Sequence, residues 1–311
     1  MTLRQVGTSE LRVAPLALGG NVFGWTANEA ASFAILDAFV DAGGTMIDTA
    51  DSYSAWAPGH VGGESERLIG RWLGRDPAKR DKVVIASKVG FMNGLAPGTI
   101  AAACDASLER MGIDRIDLYY QHKDDEAVPL ADSLGAFDAL VRAGKVRATG
   151  LSNFTPERVD EAYAACHENG LAAPVAIQPW YNLVERARFE GPLRDVAHKH
   201  GLSVFPYYSL ANGFLTGKYR SKGDLTKSPR GLRTIEYLEG KGLRVLAVLD
   251  EIAAESGASQ ATIALAWTKA QPGITAPIAS ATSLEQFRDL AAALTLELTQ
   301  GQIEALNQAS A

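Results

Sequence analysis

Short apolar runs alternate with longer amphipathic segments along almost the whole chain, and this alternation predicts its elements. The runs at residues 14–18, 46–48, 83–88, 116–121, 147–150, 175–178, 203–206 and 274–278 are mostly apolar from end to end. Strands read this way when both faces of a parallel sheet are covered. Between them lie helical patterns. Residues 27–42 place Phe33, Leu36, Phe39 and Val40 near helical spacing and stop at Gly43-Gly44, a favourable C-terminal cap. Residues 63–74, 99–111, 131–143 and 156–169 continue the series, and Thr155-Pro156 sets a capping hydroxyl before a proline at the first helical position. Eight strand signals, most of them followed by a helix, predict an α/β fold closed into a (β/α)8 TIM barrel.

Two features exceed a minimal barrel. Residues 3–6 and 11–13, flanking Gly7-Thr8-Ser9, read as an N-terminal β-hairpin closing the barrel's bottom. Residues 211–240, after the seventh strand, form a long basic stretch carrying Lys218, Arg220, Lys222, Lys227, Arg230 and Arg233. Extra loops and helices at that C-terminal face suit a lid over a ligand. No linker interrupts the pattern, so residues 1–311 read as one domain.

Composition narrows the function. A barrel needs ~250 residues, which the 311 here accommodate. A formal charge of −6 gives no basic footprint for nucleic acid or an anionic membrane. No apolar run approaches the ~20 residues of a membrane helix. The first eleven residues are polar, with Arg4 and Glu10, and do not read as a signal peptide. Cys104 and Cys166 both fall in helical patterns, so no disulfide framework is expected and the reducing cytoplasm is the default compartment. His198 and His200 are two apart and face different ways on a helix, so no metal site is expected. No pattern in the sequence sets the oligomeric state.

In a TIM barrel the chemistry collects where strands end. Asp48 ends the second run, with Tyr53 five residues beyond; Lys88 ends the third and His122 follows the fourth. Asn153 follows the fifth, Gln178 ends the sixth, and Tyr207 follows the seventh. Alone, each reads as a rim ion pair or a hydrogen-bonded core residue. Together they converge, because adjacent strand ends lie ~5 Å apart. A buried lysine needs a compensating charge, and Asp48 is its neighbour. A free phenol has a pKa of about 10, and a nearby ammonium lowers it. Tyr53 beside Lys88 therefore suits proton donation to a carbonyl oxygen oriented by His122, with hydride arriving on carbon.

These stretches resemble the aldo-keto reductase family. The similarity runs from Leu18-Gly19-Gly20 through the segment from Met46 to Tyr53, Gly63-Glu64-Ser65-Glu66, Ser87-Lys88-Val89-Gly90 and the segment from Asp117 to His122. It continues with Gly150-Leu151-Ser152-Asn153-Phe154, Gln178-Pro179-Trp180-Tyr181-Asn182 and the segment from Gly213 to Tyr219, and ends at Ser283-Leu284-Glu285-Gln286. The resemblance implies a catalytic tetrad of Asp48, Tyr53, Lys88 and His122, and reversible NAD(P)H-dependent reduction of a small-molecule carbonyl without metal. It implies that Ser152, Asn153 and Gln178 hold the nicotinamide carboxamide and that Tyr207 stacks on the ring. Gly20, Leu210, Gly213 and Lys218 would face the pyrophosphate, and Ser280, Thr282 and Gln286 the adenosine ribose and adenine. Two positions depart from the family pattern. Thr282 stands where many relatives carry a basic residue for the 2′-phosphate, and Leu290 where many carry an asparagine for adenine. Lys218 or Arg288 are candidate substitutes; NADP(H) is favoured and NAD(H) remains open.

Phe23, Trp25, Trp56, Phe91 and Met92 follow strand ends in glycine-rich loops and are the candidate substrate walls, suited to an apolar or sugar-like carbonyl. Two other readings stand beside reduction. One is a Schiff-base aldolase using Lys88; the other is a cofactor-binding regulatory barrel, since the family includes channel subunits.

Overall fold

A computed structural model describes all residues, Met1–Ala311. β1 (Arg4–Gln5) and β2 (Arg12–Val13) pair antiparallel, the expected hairpin. The barrel strands are β3 (Ala17–Gly19), β4 (Met46–Asp48), β5 (Val84–Val89), β6 (Ile116–Gln121), β7 (Val146–Ser152), β8 (Ala176–Gln178), β9 (Ser203–Val204) and β10 (Ile278–Ala279). All are parallel, in the order β10-β3-β4-β5-β6-β7-β8-β9. Between the two ends of that order Val204 bridges Ile274, Thr275 donates to the Val204 carbonyl at 2.8 Å, and Ile278 donates to Pro206 at 2.8 Å. The sheet closes as a (β/α)8 barrel.

Three strands fall two or more residues short of expectation, each beside a proline, whereas β7 runs two residues past its expected end. The first begins at Ala17, two residues after Pro15; the seventh stops before Pro206; the eighth is regular only after Pro277. Proline brings no N–H to a ladder, so these segments follow the sheet without completing it.

Along each strand, alternate side chains point inward. Met46, Val84, Ala86, Leu118, Tyr120, Ala148 and Ala176 fill the barrel, and Val6, Leu11 and Val13 of the hairpin join that cluster from below. The intervening residues Ile47, Ile85, Val89 and Tyr119 pack outward against helices. Continuing this inward alternation puts Asp48, Lys88 and Gln178 in the top layer. Gly150 leaves room there, since a Cβ on it would fall 2.5 Å from the Tyr120 ring.

The surrounding helices are α1 (Glu29–Asp41), α2 (Glu64–Gly74), α3 (Pro97–Met111), α4 (Leu130–Arg142), α5 (Pro156–Asn169), α6 (Pro192–Lys199), α7 (Lys241–Ser256), α8 (Gln260–Ala270), α9 (Leu284–Ala292) and α10 (Gln300–Ala309). Thr155 caps α5 by accepting from Arg158 N–H, as expected, and Gly170 ends it in the left-handed region. The stretch after β9 folds into short 3-10 turns at Ala211–Thr216, Lys222–Lys227 and Gly231–Tyr237 before α7, which packs against α10. No helix is long and apolar enough to cross a membrane.

α2 and α3 touch through backbone. A Cβ on Gly70 would lie 2.6 Å from the Arg110 carbonyl oxygen and 2.7 Å from Met111 Cα. Gly70→Ala should therefore push the two helices apart and cost about 1–3 kcal/mol, the usual penalty for overpacking. Thermal denaturation reads this as a lowered Tm; an unchanged Tm would mean the helices part freely.

Candidate active site

β4, β5 and the loop after β4 bring three of the four expected side chains into hydrogen-bond contact. Lys88 Nζ donates to Asp48 Oδ2 at 2.7 Å, to Tyr53 Oη at 2.7 Å and to the Thr49 carbonyl at 2.8 Å. Its three protons are all used. Tyr53 Oη in turn donates to Asp48 Oδ2 at 3.0 Å. The remaining Asp48 oxygen accepts from Gln178 Nε2 at 2.9 Å. His122 completes the group, its ring centroid 5.9 Å from that of Tyr53 and nearly edge-on to it. Lys88 and Asp48 are buried, whereas Tyr53 and His122 reach partly into solvent.

Burial sets the charge states here. It pulls the Lys88 pKa down, opposed by the Asp48 carboxylate. It also lowers the His122 pKa well below its ordinary value, and the Lys88 cation adds to this, so the imidazole is neutral at physiological pH. The phenol departs from expectation. An ammonium does sit at its oxygen, yet burial and the Asp48 charge hold the Tyr53 pKa well above the ordinary phenol value. The cation is already shared with a carboxylate that repels a phenolate. Tyr53 therefore rests as a loaded proton donor.

The residues expected on the nicotinamide side stand next to this group. Ser152 Oγ donates to the Gln178 carbonyl at 2.9 Å. Asn153, in the left-handed region at φ 56°, donates to the His122 carbonyl at 2.8 Å and accepts from Tyr207 Oη at 2.7 Å. Gly20 lies against β4, its N–H donating to the Asp48 carbonyl at 2.7 Å. Leu210 begins the first 3-10 turn after β9, and Gly213 within it has φ 94°. A Cβ there would stand 3.0 Å from Lys218 Nζ. Beyond β10, Thr282 donates through N–H and Oγ1 to Gln286 Oε1 at 3.0 and 3.1 Å, and Ser280 Oγ donates to Asn21 at 2.6 Å.

The aromatic walls separate into two kinds. Trp25 and Trp56 meet edge to face at 5.6 Å, Trp56 lies 6.1 Å from the Tyr53 ring, and Phe91 lies 5.0 Å from His122. Trp56, Phe91 and Met92 are exposed. Phe23 is different: it is fully buried in the core and presents no open surface, because it packs under Gly20. Leu290 is likewise core, whereas Arg288 is exposed on α9.

Three residues lie at the site without a distinguishing sequence signal. Arg230 is half-buried, and burial lowers its pKa; Tyr208, Tyr219 and Arg233 bear on it, with no carboxylate among them. Its neighbours in the lid are paired, Arg220 with Asp250 and Lys227 with Asp224. Ser52, one residue before Tyr53, is buried with Oγ 3.4 Å from His122 Nδ1. Asp51 lies behind Lys88, its N–H donating to the Lys88 carbonyl and its Oδ1 buried without a partner. Beside it, the buried Glu66 accepts from Ser87 Oγ and Arg110 Nε, both at 2.6 Å.

A model of the Aldo/keto reductase family matches residues 15–311. The uncharacterized oxidoreductase YrpG of Bacillus subtilis (strain 168) is 33% identical over 321 residues, covering 99% of this chain and 95% of its own. L-glyceraldehyde 3-phosphate reductase of Escherichia coli (strain K12) is 32% identical over 314 residues, covering 94% and 88%. A probable voltage-gated potassium channel subunit beta of Oryza sativa subsp. japonica is 29% identical over 301 residues, covering 92% and 89%.

Asp51 gives the site a measurable pH signature. Burial and the Glu66 charge raise its pKa to about 6. Between the ordinary carboxylate range and about 6, the folded chain keeps a proton that the unfolded chain releases. The stability Asp51 contributes is thus present at low pH and lost as pH rises through about 6. Asp51→Asn should be more stable than the parent at pH 8, by on the order of 2 kcal/mol, and equal to it near pH 4. Denaturant titration at the two pH values checks this; a gap independent of pH would refute it.

Proposed function

The chain belongs to the aldo/keto reductase family, and on that premise we propose that it reduces an aldehyde or ketone to the alcohol, reversibly, with Tyr53 as proton donor. The observation that carries this reading is the Lys88 ammonium held at 2.7 Å from both Asp48 Oδ2 and Tyr53 Oη. Bound NADPH or NADH supplies the hydride that reaches the carbonyl carbon. As the C=O electron pair settles on oxygen, Tyr53 gives that oxygen its proton. The phenolate left behind is stabilised by Lys88, and Asp48 keeps Lys88 in place. The neutral His122 imidazole donates a hydrogen bond to the same oxygen. The two free, buried cysteines suit a reducing, cytoplasmic setting.

The residues fit a dinucleotide. Ser152, Asn153 and Gln178 offer amide and hydroxyl partners for a carboxamide, and Tyr207 offers a ring face. Asn212 leaves its side-chain oxygen buried without a partner in the 3-10 turn at Ala211–Thr216. Lys218 and the unpaired Arg230 supply cations for phosphate. Thr282 brings no charge, so the preference for NADPH over NADH rests on those two cations.

Trp56, Phe91 and Met92 are exposed apolar side chains, with Trp56 beside Tyr53 and Phe91 beside His122. An apolar carbonyl body suits them better than a phosphorylated one such as the Escherichia coli relative's name describes. A Schiff-base aldolase is disfavoured, because the fully buried Lys88 spends all three protons on acceptors and has no lone pair for a ketone. A regulatory barrel, the role in the rice relative's name, differs in turnover. Repeated oxidation of reduced cofactor with a panel of aldehydes, ketones, quinones and sugars favours catalysis; absence of turnover across the panel counts for the regulatory role.

Tyr53→Phe removes the proton donor alone, so it should lower kcat by roughly 100-fold or more while cofactor affinity stays near the parent's. Near-parent activity in this variant would reassign the acid. In a fluorescence titration NADPH should bind more tightly than NADH, and Arg230→Met should weaken NADPH by about tenfold or more, the worth of one charge-assisted contact. Equal affinity for the two cofactors would remove the 2′-phosphate assignment.

A further inference from the structure

The reduction proposed above needs His122 as a hydrogen-bond donor, and a neutral imidazole carries only one N–H. Which nitrogen holds it is set by the partner of the other nitrogen. At His122 that partner is a serine. Ser52 Oγ lies 3.4 Å from His122 Nδ1, the one hydrogen-bond contact that this hydroxyl makes. A buried hydroxyl with one acceptor in reach gives its proton to it, because leaving it unused costs free energy. His122 Nε2 makes no hydrogen bond, yet it is not among the buried unpartnered atoms, so it is open to solvent at the mouth.

We propose that Ser52 is a positioning residue for His122: its hydroxyl donates to Nδ1, which keeps the ring proton on Nε2, where it meets the substrate oxygen. Ser52 is suited to this by its surroundings. It is 4% exposed, its carbonyl accepts from Ala55 N–H at 3.1 Å, and Ser54 beside it is tied to the Phe23 carbonyl at 3.2 Å. The loop that carries the proton donor Tyr53 thereby also orients the second donor. Phe91 and Tyr53 flank the imidazole without a hydrogen bond to Nδ1, while Lys88 supplies a positive charge that disfavours a second ring proton. The ring is held as one neutral tautomer.

This inference rests on the carbonyl-reductase reading, and its test separates the two. Nitrogen-15 NMR of histidine-labelled full chain reports the His122 tautomer without any substrate. The parent should show a protonated Nε2 and an unprotonated, hydrogen-bonded Nδ1. Ser52→Ala should move the two nitrogen shifts toward each other and lower kcat by about two- to tenfold, the worth of one neutral hydrogen bond, with cofactor affinity unchanged. Ser52→Thr and Ser52→Val share a shape and differ in the hydroxyl; the Thr variant should match the parent and the Val variant should match Ala. A parent ring protonated on Nδ1 overturns the proposal. So do nitrogen shifts that ignore the loss of the hydroxyl, or a kcat that does. A parent that turns over no carbonyl, with its tautomer as described, fails the proposed function instead and leaves the serine–imidazole bond standing.

Discussion

The burial of one ammonium organises the top of this barrel. Lys88 is fully enclosed, and an isolated cation there would be untenable. Its three protons find Asp48, Thr49 and Tyr53, and the other Asp48 oxygen finds Gln178 from across the barrel. Strands β4, β5 and β8 and the loop bearing Tyr53 are tied through a single charge. Removing any member leaves another stranded, which is why breaking a buried pair costs more than the pair contributes.

The two halves of this ion pair act on different aromatic neighbours. Lys88 helps to keep His122 free of a second proton, whereas burial and the Asp48 charge hold the Tyr53 proton in place. The outcome is a mouth with two uncharged donors above one compensated charge. In the proposed reduction, such a mouth meets negative charge on a substrate oxygen without first having to reorganise.

Much of this was legible in the linear chain. Their places at the ends of apolar runs picked out Asp48, Lys88 and Gln178, and the helix caps at Thr155 and after residue 42 were readable as local chemistry. Strand edges were less so, because Pro15, Pro206 and Pro277 preserve an apolar run while removing ladder donors. Properties set by burial were hidden. Phe23 and Trp25 stand two residues apart in one loop, yet one is core and the other partly open. Arg230 and Arg233 look alike in a basic stretch, and only the fold enclosed the first without a carboxylate. The direction of the Tyr53 shift was missed for the same reason: proximity to a lysine could be inferred, but not the desolvation that outweighs it.

The hairpin at the start of the chain contributes more than a floor. Arg4 donates to the carbonyls of Ile274 and Thr275, and Gly7 donates to Ser203 Oγ, on either side of the seam between β9 and the segment leading into β10, where no regular ladder forms. The earliest segment thus clasps the latest strands at the thinnest point of the sheet. Arg4 lies 270 residues from the Ile274 carbonyl it binds, a long-range contact of the kind that forms slowly.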